Sequence, residues 1–286
     1  MKLTTHFASA RQWRASVSLA FTASFLVAAA FTSSTATAAG LNDTGFTTCA
    51  DAAGATVSCT AASAVQGQDA RYGRDAAAGT SALTKVGGGA NGFDFTKISN
   101  GNGTNPGAIL PATAPLGTAA GEWGCTYDNT TGLMWEVKTT SGLRNSGLLY
   151  SWYSSNAATN GGIAGVENGG YCFTPGRCDT EKFVQDVNAT NMCGHADWRV
   201  PTVRELLGIV RLGATPAIDT AYFPNTIVQI TGGNTYPVSF WTATPIVSSS
   251  SIATIYFGNG NQYPFPPSGA FGSFARPTLR LVRSGL

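Results

Sequence analysis

The fold is decided by one stretch of the chain, Cys193-Gly194-His195-Ala196-Asp197-Trp198-Arg199-Val200-Pro201-Thr202-Val203-Arg204-Glu205-Leu206-Leu207. Thr202 and Glu205 stand three residues apart, which is the spacing of a capping box at the start of a helix. Pro201 fixes the approach of the chain to that helix. Gly213 is expected to end it, since glycine is the usual residue just past a helix terminus.

Two large side chains, Trp198 and Arg199, directly precede this helix. Both residue types are common in binding hot spots. Their position beside a capped helix favours a structural role instead, and we interpret them as braces of the core. We give the same interpretation to Trp135, to Thr202 and to Glu205.

Further elements surround the capped helix. Asp179 is a good N-cap, and Phe183 and Val187 recur at helical spacing, which predicts a second short helix over residues 180–190. Alternating apolar segments predict strands, the last of them half-exposed, at residues 132–138, 239–244, 252–257 and 278–283. Strands at both ends with two short helices between them indicate an α+β fold.

The first 38 residues are predicted to be a secretory signal. Three basic residues and no acid precede an apolar run from Val17 to Phe31, and Ala36-Thr37-Ala38 offers a small-x-small cleavage site. A membrane anchor needs about 20 apolar residues, whereas Ser18 and Ser24 interrupt this run. We therefore expect an exported chain, secreted or held at a bacterial surface, with the periplasm as the alternative location.

Charge excludes several kinds of partner. Charged residues make up 11% of the chain, against about 25% in a typical domain. Loss of Lys2, Arg11 and Arg14 with the leader leaves 14 bases against 15 acids, a net charge of −1. No nucleic-acid partner is expected, because such partners need a clustered basic surface. Only Arg276, Arg280 and Arg283 are placed to form a local basic patch.

Six cysteines follow the leader: Cys49, Cys59, Cys125, Cys172, Cys178 and Cys193. An even number in an exported chain favours disulfides over free thiols. Proximity favours the pairs Cys49–Cys59 and Cys172–Cys178, which leaves Cys125–Cys193. Zinc is the rival interpretation, but the chain has no C-x-x-C pair, and His195 is the only histidine after the leader.

Two domains are expected after the leader. Residues 39–121 are poor in large apolar side chains and contain glycine runs such as 87–89, which predict loops. Segments 69–75 and 92–97 are expected to be short ordered islands. This irregular preamble needs another surface to lie against, and a neighbouring subunit is the candidate. The denser domain follows at residues 122–286.

The capped stretch resembles the hallmark of a bacterial family named after the C-terminal domain of the Legionella collagen-like adhesin. Four further stretches agree with that family in order: Asp128–Lys138, Ile218–Thr226, Phe240–Thr244 and Leu279–Arg283. Together they cover roughly residues 123–284. The preamble is similar, through residues 40–45 and 68–75, to sequences that precede this domain in secreted bacterial proteins.

The resemblance implies a C-type-lectin-like fold, akin to that of the formylglycine-generating enzyme. In that fold the first and last strands pair, two helices flank them, and long loops carry the ligand. Segments 133–138 and 278–283 are therefore expected to be neighbours in one sheet. The predicted class is α+β, with a mixed or antiparallel sheet, two short helices and long irregular loops. Fold does not fix function, because ligand-bearing loops vary on a common frame.

No cofactor is expected, with calcium as the alternative. Asp128, Asn129, Asp219 and Asn225 offer the oxygen ligands that calcium takes. The resemblance implies sugar-binding triplets that this chain lacks, and in the nearest one, at residues 223–225, phenylalanine stands where a carboxylate or amide is needed.

Enzymatic activity is not expected. The formylglycine-generating enzymes act through a cysteine pair near the C-terminus, and no cysteine follows Cys193. A catalytic site would otherwise need a nucleophile with a base, or paired carboxylates, and no spacing indicates either. A secreted enzyme of unknown chemistry is the last alternative.

The candidate ligand site is an aromatic, amide-rich segment near the C-terminus. Its proposed contacts are Asn259, Asn261, Gln262, Tyr263 and Phe265. Rings that stack on a sugar, beside amides that bond hydroxyls, suit a neutral glycan. The alternative is a hairpin whose rings pack inward while its amides stay solvated, in which case the segment at residues 219–225 is the next candidate.

The first functional hypothesis is an exported, non-enzymatic recognition module that presents loops to a glycan or a surface protein, as an adhesin does. The second is a structural subunit or tip component of an extracellular filament, which self-assembles through the preamble. A glycan array and the oligomeric state in solution distinguish the two.

Overall fold

The architecture consists of short strands joined by long loops. The computed structural model describes residues 40–101, 105–119, 121–232, 234–270 and 275–286, so the predicted leader lies outside the described residues. The strands are β1 (Cys49–Ala50), β2 (Thr56–Val57), β3 (Phe95–Ser99), β4 (Ile109–Leu110), β5 (Trp123–Asp128), β6 (Leu133–Glu136), β7 (Gln229–Gly232), β8 (Asn234–Pro237), β9 (Phe240–Ile246), β10 (Ser251–Tyr256), β11 (Asn261–Phe265) and β12 (Val282–Ser284). The helices are α1 (Gly73–Gly79), α2 (Thr180–Ala189) and α3 (Val203–Leu207).

The largest sheet contains five antiparallel strands in the order β12-β6-β5-β3-β4. β12 pairs with β6, with Val282 opposite Trp135. The predicted pairing of the terminal strands of the domain is therefore confirmed. The predicted α+β class with antiparallel sheets is confirmed as well.

The preamble contributes directly to this sheet. It supplies β3 and β4, and Ile98 of β3 lies opposite Cys125 of β5. Phe93 and Phe95 are almost fully buried in one hydrophobic core with Trp135. Residues 39–286 form one compact unit. The preamble therefore packs against the second half of its own chain, with more regular structure than its composition indicates.

A second sheet has the order β11-β10-β9, and two isolated hairpins, β1-β2 and β7-β8, complete the strand pairing. β10 is the central strand and is buried on both faces. Ile252 packs in one hydrophobic core, and Ile255, on the opposite face of the strand, packs in the other. This strand therefore anchors the β10-β11 hairpin to the body of the molecule.

Both predicted helices are present. The Asp179 side chain accepts a hydrogen bond from the Lys182 N–H at 2.9 Å, which caps α2. The capping box of α3 is complete, because the Thr202 hydroxyl accepts from the Glu205 N–H and the Glu205 carboxylate accepts from the Thr202 N–H.

The predicted end of α3 at Gly213 was wrong, because the helix ends at Leu207. The backbone beyond it bonds to other parts of the chain. Leu212 N–H donates to the carbonyl of Thr44 in the preamble, and Arg211 N–H donates to the carbonyl of Ala217.

The C-terminal segment is buried rather than half-exposed. Residues 278–283 are all buried, and regular strand pairing begins only at Val282. The Trp241 N–H donates to the Thr278 carbonyl on one side, and Val282 exchanges hydrogen bonds with Arg199 on the other. Neighbours on both sides therefore cover a segment whose sequence alternates.

Three disulfides join Cys49 to Cys59, Cys125 to Cys193 and Cys172 to Cys178, the pairing that proximity favoured. The second bridges β5 to the first residue of the capped stretch, and both of its cysteines are fully buried. No helix among the described residues is long and apolar enough to cross a bilayer.

Candidate functional site

The amide-rich segment forms the tip of the β10-β11 hairpin. Tyr256 lies opposite Asn261 where the two strands meet the turn. The Gly260 N–H closes the turn onto the Tyr256 carbonyl at 2.8 Å, and the Phe257 carbonyl accepts from the Ala217 N–H at 2.6 Å. The Asn259 side chain also accepts from the Asn261 N–H at 3.0 Å. The tip is therefore a tied turn with a defined shape.

Two tyrosine rings support the tip. Tyr256 and Tyr263 meet edge to face, with ring centroids 6.3 Å apart. Tyr263 is half-buried against the neighbouring core. Hydrogen bonds from the Asn259 and Asn261 side chains to the phenol oxygen lower the pKa of Tyr263. Asn259, Asn261 and Gln262 themselves are exposed.

Phe265 belongs to the core and not to this surface. It is fully buried, and its ring meets Trp241 edge to face at 6.1 Å. The reason is the alternation of side chains along a strand. Residues 263 and 265 of β11 turn toward the core, whereas Gln262 and Pro264 face solvent. Of the five predicted contacts, Asn259, Asn261 and Gln262 are fully presented, Tyr263 is partly presented, and Phe265 is enclosed.

Each of the four residues considered as calcium ligands makes a hydrogen bond within the protein. Asp128 accepts from the Thr130 N–H at 3.0 Å, and burial raises the pKa of Asp128. Asp219 accepts from the Ala90 N–H at 2.6 Å. The Asn129 and Asn225 amides donate to the Asp94 carboxylate and the Lys138 carbonyl, both at 2.9 Å. These contacts hold loops in place.

A cluster of three aspartates lies in the preamble. Oxygens of Asp43, Asp69 and Asp75 lie within 4.8 Å of one another, the one such acidic group among the described residues. Asp75 is fully buried, and its two oxygens accept from the N–H groups of Gly45 and Gly92 at 2.6 and 2.7 Å. Burial raises the pKa of Asp75. The cluster joins three preamble segments, and the sequence analysis did not identify it.

Charged side chains also lie inside the domain, which sequence reasoning missed. Glu136 is fully buried, and its carboxylate accepts from the Lys138 ammonium at 2.9 Å and from the Leu281 N–H at 2.9 Å. The buried Arg280 guanidinium donates to the Glu136 carbonyl at 2.7 Å. Burial lowers the pKa of Lys138, and it lowers the pKa of Arg280 to about 10.

The predicted local basic patch of three arginines is therefore absent. Arg280 is enclosed, with its guanidinium over the rings of Phe223 and Phe240. Arg283 is mostly buried and pairs with Asp197 at 2.7 Å. Arg276 therefore lacks the two exposed arginine neighbours that a polyanion-binding patch would need.

Of the residues interpreted as braces, the two tryptophans lie in the core, whereas Thr202 is exposed and the Arg199 side chain is 43% exposed. Trp135 and Trp198 are buried, and the Trp198 indole donates to the Met192 carbonyl at 3.2 Å. Arg199 makes a two-pronged ion pair with Glu205, at 2.6 and 2.8 Å. That carboxylate also completes the capping box, so the pair fixes the chain before α3 to the helix start.

A family model described as the Lcl C-terminal domain matches residues 124–282. No significant match was found among curated proteins or among solved structures. The matched region begins in β5, ends in β12 and contains the whole β10-β11 hairpin. It covers more than half of the sequence, and the chain therefore belongs to the Lcl C-terminal domain family.

Proposed function

We propose that this chain is an exported, non-enzymatic recognition module that binds a neutral glycan through the tip of the β10-β11 hairpin. Membership of a family named for a domain of a collagen-like adhesin supports an adhesin-like surface role. The hairpin tip supports the choice of ligand.

The observation that carries the proposal is the set of three exposed amides at the tip, Asn259, Asn261 and Gln262. Each amide both donates and accepts hydrogen bonds, as a sugar hydroxyl does. The tip, residues 256–263, contains no charged side chain. A neutral, polyhydroxylated ligand therefore matches its chemistry better than a sulfated or phosphorylated one.

The tied turn reduces the entropic cost of binding. Asn259 is already engaged with the Asn261 N–H and with the Tyr263 hydroxyl. A side chain that is ordered before binding loses less conformational freedom when the ligand arrives. Tyr256 and Tyr263 are each only partly exposed and contact one another, so we assign them to supporting the turn.

A glycan array tests the proposal with the full-length chain and the double variant Asn259→Ala, Gln262→Ala. We expect binding to neutral glycans, weakened about tenfold or more in the double variant, since two hydrogen-bonding groups are lost. Gln229→Ala, at another exposed glutamine, is the matched control. A chelator arm separates calcium-dependent binding. Absence of binding to any neutral glycan contradicts the proposal.

A second candidate, self-assembly into a surface structure, is favoured by one observation. Tyr171 and Phe173 are 74% and 59% exposed, the first just before and the second just inside the small loop that the Cys172–Cys178 bond closes. Exposed aromatic rings beside a disulfide suit a protein–protein contact, since aromatic residues are enriched at protein–protein interfaces. Size-exclusion chromatography and electron microscopy test this, and a monomer at all concentrations contradicts it.

A further inference from the structure

A half-open cleft of about 730 Å³ lies at a junction between the preamble and the family domain. Asn100, Leu116 and Thr118 line the preamble side, and Thr140 and Asn191 are among the residues that line the other. Its volume falls in the range of about 300–1,000 Å³ that is typical of small-molecule sites.

Buried contacts hold the walls of the cleft. The Arg144 guanidinium, at its base, donates to the carbonyls of Gly124 and Val137 at 2.9 and 3.1 Å, and more weakly to the Asn100 side chain at 3.4 Å. Asn100 in turn donates to the Thr118 carbonyl at 3.2 Å. One buried arginine therefore ties the preamble wall to β5 and to the residue after β6.

The opposite wall is fixed by a disulfide. Met192 lines the cleft, and the next residue, Cys193, is bonded to Cys125 in β5. Asn191 has a φ of +50°, which directs the chain through a tight turn beside Met192. Since both walls join β5, the cleft is shaped before any ligand arrives.

The lining has the composition of a carbohydrate site. Hydroxyls and amides such as those of Thr140, Ser141 and Asn191 alternate with apolar Leu116 and Leu143. A saccharide presents the same mixture of hydroxyls and apolar C–H faces. One acid, Glu122, and one base, Arg144, line the cleft, so it has no net charge with which to select an ionic ligand.

We infer that this cleft is a saccharide subsite, separate from the hairpin tip, and that the preamble supplies one wall of it. The inference rests on the proposed function, that the chain binds neutral glycans. The preamble wall precedes the family match, which begins at residue 124. The family match therefore does not include the preamble wall of the cleft.

The test uses the full-length chain and a panel of neutral di- and trisaccharides, followed by saturation-transfer NMR and titration calorimetry. Thr140→Trp fills the cleft from its exposed rim, and Ser248→Trp places the same ring at an exposed site outside it. We expect Thr140→Trp to weaken binding at least tenfold and Ser248→Trp to leave it unchanged.

A second, smaller substitution tests the cleft without introducing a bulky ring that would disturb the fold. Asn191→Gly removes one amide and keeps a residue that tolerates positive φ, and Ser250→Gly, at a φ of +50°, is its matched control. We expect a loss of about three- to tenfold for Asn191→Gly only, the range for one hydrogen bond.

Three results overturn some part of this account. Saccharide binding that is unchanged by Thr140→Trp and Asn191→Gly when both are made in the Asn259→Ala, Gln262→Ala chain, which lacks the tip contacts, overturns the cleft inference and leaves glycan recognition standing. Binding that is lost only in the hairpin double variant overturns the inference and supports the tip as the sole site. Absence of saccharide binding by the unmodified chain, on the panel and on the array, overturns both proposals.

Discussion

The interior around Glu136 and the tip of the β10-β11 hairpin are both polar, yet they use their polar groups in opposite ways. In the interior, Glu136, Lys138 and Arg280 are enclosed and bonded to one another or to backbone. At the tip, Asn259, Asn261 and Gln262 face solvent. Residue type therefore does not separate structure from recognition in this molecule, whereas burial does.

The largest expected effect is at the interior. Glu136→Gln keeps the side-chain size but leaves the Lys138 ammonium buried without its carboxylate. Breaking a buried ion pair costs about 3–5 kcal/mol, and denaturant unfolding should show this as a lower midpoint.

The control for this variant is Glu167→Gln, at an acid whose side chain is 55% exposed. It should change the free energy of unfolding by no more than about 0.5 kcal/mol. If the two substitutions lowered the free energy of unfolding equally, the buried carboxylate of Glu136 would contribute no more to stability than the exposed carboxylate of Glu167.

The hairpin itself offers a second contrast, within one strand. Phe265→Ala should cost about 3–5 kcal/mol of unfolding free energy, because it empties a buried aromatic site against Trp241. Gln262→Ala, three residues earlier and exposed, should change that free energy by about 0.5 kcal/mol or less. Thermal unfolding of the two variants checks this, and a stability loss in Gln262→Ala would make the tip part of the fold.

The disulfides sharpen the comparison at a smaller scale. Cys125–Cys193 closes a loop with a sequence separation of 68, and Cys172–Cys178 one with a separation of 6. Loop-closure entropy predicts a stabilisation of about 4 kcal/mol for the first and about 2 kcal/mol for the second. Cys193→Ser should therefore lower the melting temperature more than Cys178→Ser. The reverse order would show that native packing, and not loop length, dominates.

The smallest effect concerns pH. Burial, aided by the nearby Arg283 charge, lowers the pKa of His195. The unfolded chain, with a pKa of about 6.5, therefore takes up the proton first. The stability that the folded state gains from a neutral His195 is present above about pH 6.5. It is lost as pH falls through the pKa that His195 has in the folded state. His195→Asn should flatten the stability profile below about pH 6.5, and a profile identical to that of the unmodified chain would contradict the lowered pKa of His195.

The helix starts that the sequence predicted correctly depend on signals between residues close together in the chain. The capping box at Thr202 and Glu205 and the N-cap at Asp179 depend on residues three positions apart, so they are readable without a fold. The pairing of β6 with β12 was also expected, through the family resemblance. These elements fix the frame that carries the hairpin.

Long-range contacts explain what the sequence did not predict. Arg280 lies in a segment that alternates as an exposed strand would, and only the neighbours on both sides bury it. Phe265 was read as part of an aromatic surface, although its two-residue spacing from Tyr263 was a signal that both rings face inward. The contribution of β3 to the large sheet depends on a partner, β5, that lies more than twenty residues away.

The most direct test of the central claim is an NMR titration of the full-length chain with a neutral oligosaccharide that the array identifies. The side-chain N–H signals of the Asn and Gln amides and of the Arg guanidinium report on contact residue by residue. The account predicts that the signals of Asn259, Asn261 and Gln262 shift as the sugar is added, while that of the buried Arg280 stays in place. Saturable binding with the three tip signals unmoved would contradict the account.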